Sequence, residues 1–328
     1  MTLKDHGSLS GLHHVTAVTG DVRSNLSFYT GQLGMRLVKR SVNQDDTSAY
    51  HLFYADANGS PGTDLTFFDW PNTRPRRHGP GTIGSTWLRV GSEESLAWWG
   101  EKLGENGVQR ETVAQRSGRA TLRFRDPEGQ VITFVNDAGE PGGAPWDESP
   151  VPEAHAIRGL GPVTLTEIAL EPTAAFLVSV LGFREAGRYA DRIGDDGSES
   201  VAEVTVFETG AGGVGAEVHV AVVGGMHRGL VGRGGVHHVA FRTPDDEHHL
   251  AWQRHLASLG AGVTPVIDRY YFRSLYFREP GGVLFEIATD GPGFAADEPL
   301  DSLGERLALP PFLEPQREQI EAGLVPLP

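Results

Sequence analysis

One pattern of secondary structure recurs four times along this 328-residue chain. In the first copy, an alternating run from Leu12 to Val18 is followed by a run with helical spacing and then by the strand-like runs RLVKRSV, AYHLFYAD and TDLTFFDW. The helical run ends at Gly34, a residue type favoured just beyond helix ends. Because a single βαβββ unit of this size cannot cover the inner face of its own sheet, we expect the units to pack in pairs.

The same order of elements returns three more times, at residues 81–137, 160–223 and 236–290. The second copy contains a predicted strand from Val108 to Val113, and the third contains one from Ser200 to Phe207. Helices of the second and fourth copies share a Leu-Ala-Trp sequence and a closing Leu-Gly. This internal repetition is the main evidence for the fold class.

Residues 141–155 are rich in proline, glycine and acidic side chains, which is typical of a linker. We predict an α+β protein with a first domain at 8–140, this linker, a second domain at 156–292 and a tail at 293–328. The four βαβββ units should form two cup-like eight-stranded sheets. In the tail, Pro315 near a helix start and the pair Ile320 and Leu324 predict one docking helix.

Composition excludes several classes of function. The chain has 28 Lys and Arg against 43 Asp and Glu, so its formal charge of −15 disfavours nucleic acid and anionic membranes as partners. Without cysteine, a metal would have to be bound by histidine, carboxylate or other oxygen ligands. With no signal-like or membrane-spanning apolar run, we expect a cytoplasmic protein, and a homo-oligomer is one alternative for its assembly.

The first and fourth copies both open their first strand with His-His-Val, ending in His14-Val15 and His238-Val239. A lone histidine is usually an ordinary polar residue, but these occupy the same position of a repeated unit. Glu286 lies among apolar residues on the last strand of the fourth copy, where a carboxylate needs a buried partner. We predict that these two histidine positions and Glu286 converge on one divalent metal ion.

Four βαβββ units with His-His-Val openings resemble the vicinal oxygen chelate superfamily, which includes glyoxalase I, extradiol ring-cleaving dioxygenases and antibiotic-binding proteins. In that family a ligand histidine directly precedes the apolar residue that continues the first strand, and a ligand glutamate lies on the fourth strand. The resemblance therefore implies a metal site formed by His14, His238 and Glu286.

The other copies do not repeat these ligands. The first-strand position holds, in order, His14, Thr86, Pro162 and His238, and the fourth-strand position holds Phe67, Thr133, no assigned residue and Glu286. The first and last units should therefore build the active cup together. Two histidines and one carboxylate leave three positions of an octahedral metal open, which suits Fe(II). Glyoxalase I usually supplies four protein ligands.

The stretches LVKRSVNQDD (37–46), DLTFFDWPN (64–72) and LPPFLEPQREQIE (309–321) are similar to the hydroquinone-type ring-cleaving dioxygenases. The resemblance implies an Fe(II)-dependent enzyme, with Mn(II) as the alternative metal, that opens a hydroquinone or related dihydroxybenzene with O2. It carries two further residues into the site, Arg269 for an anionic substrate and Tyr276 for a metal-bound oxygen.

Alternation along the first strand predicts that Thr16 faces the cup with His14. The same rule turns His13 and His237 away unless each strand bulges, whereas the resemblance places both near the site. Proton transfer would then fall to His237, Tyr276 or His13.

Two other functions remain open: a non-catalytic protein that sequesters an aromatic compound, and a glyoxalase-type lyase or isomerase. A zinc hydrolase with the same three ligands has no precedent in the resemblance. The histidines of the fourth helix, His248, His249 and His255, are predicted to form a solvated face rather than a second site.

Overall fold

The computed structural model describes residues 6–194 and 201–328. Ser200, where one predicted strand begins, lies outside these residues. The first unit consists of β1 (Leu12–Thr19), α1 (Val22–Leu26), β2 (Arg36–Asn43), β3 (Asp46–Ala55) and β4 (Asp64–Asp69). The Asp21 side chain caps α1 by accepting a hydrogen bond from the backbone N–H of Ser24, and a π-helical turn at Ser27–Gln32 continues the helix.

The second unit differs from its prediction in one strand. It consists of β5 (Thr82–Val90), α2 (Glu93–Glu105), β6 (Ala114–Arg116), β7 (Arg119–Arg125) and β8 (Val131–Asn136). The predicted strand from Val108 to Val113 is wrong: this segment makes one isolated bridge, from Arg110 to Phe124. Val113 is 47% exposed, so the apolar residue that suggested a strand has no core to enter.

The third unit consists of β9 (Leu160–Glu167), α3 (Leu170–Ser179), β10 (Arg184–Arg192), β11 (Val201–Glu208) and β12 (Glu217–Val222). The fourth consists of β13 (Gly235–Thr243), α4 (Asp246–Ser258), β14 (Ile267–Asp268), β15 (Arg273–Arg278) and β16 (Leu284–Thr289). In the tail, α5 (Arg317–Gly323) docks through Ile320 onto Val42 and neighbouring leucines, as predicted.

Two curled eight-stranded sheets organise the molecule. The first and fourth units form one sheet, with the order β14-β15-β16-β13-β1-β4-β3-β2. The second and third units form the other, with the order β10-β11-β12-β9-β5-β8-β7-β6. The predicted α+β fold with two cups is confirmed. Each sheet joins one unit from either half of the chain, so the sequential division at the 141–155 linker stays a prediction about domains.

Apolar helix faces cover the sheets. Trp99 on α2 and Trp252 on α4 are fully buried in the main core. The rigid sheets therefore hold the strands that carry the candidate ligands. Among the described residues, no helix has the length and apolar character needed to cross a membrane.

Candidate metal centre

The antiparallel pairing of β1 with β13 brings the two His-His-Val sequences together. Val15 lies opposite Val239, so His14 and His238 occupy equivalent places on adjacent strands. His13 on β1 and His237 on β13 have no partner in this register, so each is the extra residue of a β-bulge. β16 runs parallel to β13 and places Glu286 opposite Ala240, beside the two histidines.

The three predicted ligands form a small triangle of nitrogen and oxygen atoms. His14 Nε2 lies 3.2 Å from His238 Nε2, and Glu286 Oε2 lies 3.2 Å from the first and 2.9 Å from the second. Ligands about 2.1 Å from a metal are about 3.0 Å apart at right angles and about 3.4 Å apart in a tetrahedron. The triangle is closer to one face of an octahedron.

A backbone carbonyl determines which nitrogen of His14 carries the proton. His13 Nε2 lies 3.1 Å from the oxygen of Thr289, which can only accept, so His13 Nε2 carries a proton and donates. Burial is the main cause that lowers the pKa of His13 to about 3, so its Nδ1 is a lone pair. His14 Nδ1, 2.9 Å away, must donate to it. The lone pair of His14 therefore lies on Nε2, inside the triangle.

Glu286 turns one of its two carboxylate oxygens, Oε2, toward the two histidines. Ser274 Oγ donates to Oε1 at 2.6 Å, whereas Oε2 is buried without a hydrogen-bond partner. A buried oxygen without a partner, facing an imidazole lone pair, suits a divalent cation.

A cavity of about 360 Å³ opens beside the triangle. Its wall is mainly apolar and aromatic, formed by Phe53, Phe68, Trp70, Ile267, Phe272 and Leu284. His237 and Tyr276 are polar groups of the lining that lie beside His238, at the ligand end. This combination of apolar walls and a few placed polar groups is typical of a site for a small organic molecule.

His237, Tyr276 and Arg269 all line this cavity. His237 Nδ1 lies 2.7 Å from His238 Nδ1, and burial is the main cause that lowers the pKa of His237 to about 3. The guanidinium of Arg269 lies 5.6 Å from the ring centre of Tyr276. Arg269 also donates to both oxygens of Asp45, at 3.2 and 2.8 Å, so its charge is partly neutralised at the mouth of the cavity.

The other two predicted site residues lie behind the wall. His13 is 3% exposed and contacts His14 and Thr289. Thr16 is fully buried, and its Oγ1 lies 2.8 Å from Thr66 Oγ1. His13 thus supports His14, which lines the cavity, whereas Thr16 contacts Thr66, the hydrogen-bond partner of the lining residue His51.

The register corrects two positions in the comparison of the four units. Thr16 pairs with Thr66 as Ala240 pairs with Glu286, so Thr66 is the equivalent of Glu286, and Phe67 is a core residue. In the second unit the register skips Gly84, which makes Ser85, instead of Thr86, the equivalent of His14.

The third unit does hold a residue in the unassigned fourth-strand position. His219 lies opposite Thr164, where it is fully buried and contacts Tyr189 and Glu217. No group of three metal ligands forms around it among the residues that the structure describes.

Two predictions about histidines need correction. His249 on α4 is 1% exposed, and its ring contacts the carbonyl of Ile287 at 2.9 Å, so it does not belong to a solvated face. His51 on β3 lines the cavity and was not predicted. Alternation along β3 could have identified it, because Tyr50, Leu52 and Tyr54 take the core face.

Comparison with known proteins places these features in a family. The model of the Glyoxalase/Bleomycin resistance protein/Dioxygenase superfamily matches residues 11–134 and 159–287. A Bacillus subtilis protein provisionally named ring-cleaving dioxygenase MhqA is 44% identical over 320 residues, covering 97% of this chain and 99% of its own. The chlorohydroquinone/hydroquinone 1,2-dioxygenase of Sphingobium indicum is 30% identical over 322 residues, 95% of each chain.

A solved structure is similar over almost the whole molecule. The crystal structure of a Bacillus subtilis protein provisionally named as a dioxygenase superposes with a TM-score of 0.88 at 39% identity and covers 98% of both chains. Both units of each sheet therefore have counterparts in that protein.

Proposed function

This chain belongs to the Glyoxalase/Bleomycin resistance protein/Dioxygenase superfamily, and we propose that it is an Fe(II)-dependent ring-cleaving dioxygenase acting on a hydroquinone or related dihydroxybenzene. One observation carries the proposal: a triangle of two imidazole nitrogens and one carboxylate oxygen opens onto a cavity with aromatic walls. The names of the relatives support the same reaction class.

The ligand set favours Fe(II), with Mn(II) as the alternative. Two histidines and one carboxylate on one face form the arrangement of non-haem Fe(II) oxygenases. A bound Fe(II) would supply open positions at which a substrate oxygen and O2 can meet. The equivalent of Glu286 in the first unit is Thr66, whose hydroxyl contacts Thr16 and His51. The lack of a fourth ligand there disfavours a glyoxalase-type isomerase.

The cavity suits one substituted aromatic ring. Its volume of about 360 Å³ exceeds the roughly 150 Å³ of an apolar cavity that binds benzene. Flat apolar walls from Phe272 and Trp70 would orient the ring and exclude water from it. The ring would thus approach the triangle in a restricted orientation.

Three side chains of the lining would hydrogen-bond the substrate or stabilise its negative charge. When His238 Nε2 is a metal ligand, His238 Nδ1 donates to His237 Nδ1, and His237 keeps its own proton on Nε2. That N–H is suited to hydrogen-bond an oxygen that gains negative charge. Tyr276 can hydrogen-bond a substrate oxygen, and Arg269 supplies positive charge beside it.

The test is anaerobic reconstitution with Fe(II), followed by measurement of O2 uptake with a panel of hydroquinones and catechols. We expect uptake of one O2 per ring opened, with both atoms of 18O2 in the product. Glu286→Gln keeps the side-chain volume and should lose bound iron, whereas Glu203→Gln, at an exposed carboxylate, should retain it. Tight binding of these compounds without uptake would instead identify a sequestering protein.

A further inference from the structure

Two polar side chains of the first unit lie in the cavity wall, and the mechanism above does not use them. Ser41 on β2 and His51 on β3 are directly opposite each other in the sheet, and both line the cavity. The Ser41 side chain is 2% exposed, and its Oγ has no hydrogen-bond partner. A buried hydroxyl without a partner is destabilising unless a ligand or water satisfies it.

The His51 ring is held in one orientation. It packs against Phe53 and Phe68, with ring centres 3.9 and 4.4 Å away. Its Nε2 lies 3.0 Å from Thr66 Oγ1, which is itself 2.8 Å from Thr16 Oγ1. A side chain fixed by two rings and one hydrogen bond loses little further freedom when it binds a ligand.

The internal repeat shows that this position serves a different purpose in each unit. His51 lies opposite Phe68 and Thr66 opposite Phe53, just as Ser274 lies opposite Ala288 and Glu286 opposite Tyr276. His51 is therefore the equivalent of Ser274, which hydrogen-bonds the ligand Glu286. In the first unit the partner of His51 is the hydroxyl of Thr66 and not a carboxylate, so His51 is not needed to orient a metal ligand.

The second ring nitrogen of His51 can form a hydrogen bond with a ligand. Burial is the main cause that lowers the pKa of His51 well below its usual value, so the ring is neutral and carries one N–H and one lone pair. Whichever of these engages Thr66, the other is the remaining polar atom of a side chain in the cavity wall.

Several other polar groups of this wall already have hydrogen-bond partners. The Tyr271 hydroxyl donates to Asp297, and the Gln44 amide donates to the backbone carbonyl of Arg269. Asp45 is paired with the guanidinium of Arg269. Ser41 Oγ, by contrast, has no partner, and His51 has a second ring nitrogen besides the one that contacts Thr66.

We propose that Ser41 and His51 form a subsite for the substrate hydroxyl that does not bind the metal, and that this subsite selects hydroquinones over monophenols. The assignment rests on the proposed function. In a catechol both oxygens are adjacent and can reach one metal ion, whereas the second hydroxyl of a hydroquinone lies across the ring. That hydroxyl needs a partner in the wall, because a buried hydroxyl without one is costly.

The experiment compares anaerobic dissociation constants of hydroquinone and phenol for the Fe(II)-loaded protein, measured by calorimetry. Phenol lacks only the second hydroxyl, so the ratio of the two constants isolates its contribution. We expect wild type to prefer hydroquinone, and both His51→Phe and Ser41→Ala to reduce the preference by about 10-fold with little change for phenol. His249→Phe, at a buried histidine outside this cavity wall, is the matched control and should keep the preference.

Each other outcome overturns the assignment. An equal loss of affinity for both ligands would show that the two side chains only shape the cavity, and unchanged affinities for both would show that they do not contact the hydroxyl. If His51→Phe does not fold, the ratio measured for Ser41→Ala, which removes a single oxygen atom, tests the assignment. If wild type with bound iron binds neither ligand, the proposed function itself fails together with the subsite.

Discussion

His13 Nε2 lies 3.1 Å from the carbonyl oxygen of Thr289, at the end of the strand that carries Glu286. This contact makes His13 a donor at Nε2 and an acceptor at Nδ1, and it thereby directs the lone pair of His14 into the ligand triangle. The strand that supplies the acid thus also prepares one of the two histidines. Outer partners of this kind typically change metal affinity 10–100-fold.

We therefore expect His13→Phe to weaken Fe(II) binding by about 10-fold or more, because His14 loses the acceptor that holds its Nδ1 proton. Competition with a chelator would measure the change. His249→Phe removes another buried histidine that contacts a backbone carbonyl and should leave iron affinity intact. Equal losses in both variants would assign the effect to the fold instead of the tautomer.

Ser274→Ala should also reduce iron affinity, by about 10-fold, because Glu286 Oε1 loses its 2.6 Å hydrogen bond and the carboxylate becomes free to rotate. Iron content after dialysis against a weak chelator is the measurement. Ser258→Ala, at an exposed serine on α4, is the control. Undiminished iron retention in Ser274→Ala would show that the strand alone orients the carboxylate.

Asp45→Asn should act on substrate binding and leave iron in place. The Asp45 and Arg269 pair joins the first and fourth units across the mouth of the cavity, but the Asp45 side chain is 72% exposed, so the pair contributes less than about 1 kcal/mol. We expect KM to rise by less than about 5-fold with kcat nearly unchanged. Steady-state O2 uptake would show this, and Asp46→Asn is the neighbouring control. A fall in kcat alone would contradict it.

Glu167 should make the protein less stable at alkaline pH. Burial, followed by the charge of Glu279, raises the pKa of Glu167 from 4.5 to about 8. The folded state therefore keeps a proton that the unfolded state releases above about pH 4.5, so the free energy of unfolding decreases as pH rises from about 4.5 to about 8. This stability is present at low pH and is lost through that window.

Glu167→Gln should remove this dependence. We expect its Tm to match wild type near pH 5 and to exceed it by about 2–4 °C near pH 9, equivalent to about 1 kcal/mol. Calorimetry across this range would measure the difference, and Glu203→Gln, at an exposed carboxylate, should follow wild type. A constant difference at all pH values would mean that the carboxyl is not titrating.

Local patterns predicted the repeated unit because its alternating strands and amphipathic helices are recorded within short segments. Equivalent residues of the four units were harder to match from sequence, because turn lengths differ between the copies. Phe67 was therefore predicted at the position that the register assigns to Thr66. Alternation alone also turned His237 away from the site, because a bulge depends on the partner strand. Neither His51 nor Ser41 was predicted to lie at the cavity, because the strands that bring them there meet only in the folded sheet.

The amino-acid sequence by itself determined the four-unit architecture and the two units that carry the candidate ligands, since both follow from repetition along the chain. Only the tertiary structure decided how His14 meets His238, 224 residues later, and which ring nitrogen each presents. Those features depend on the register of β1 against β13 and on a carbonyl at the end of β16. Contacts between distant strands are set when all four units pack, so no local segment contains them.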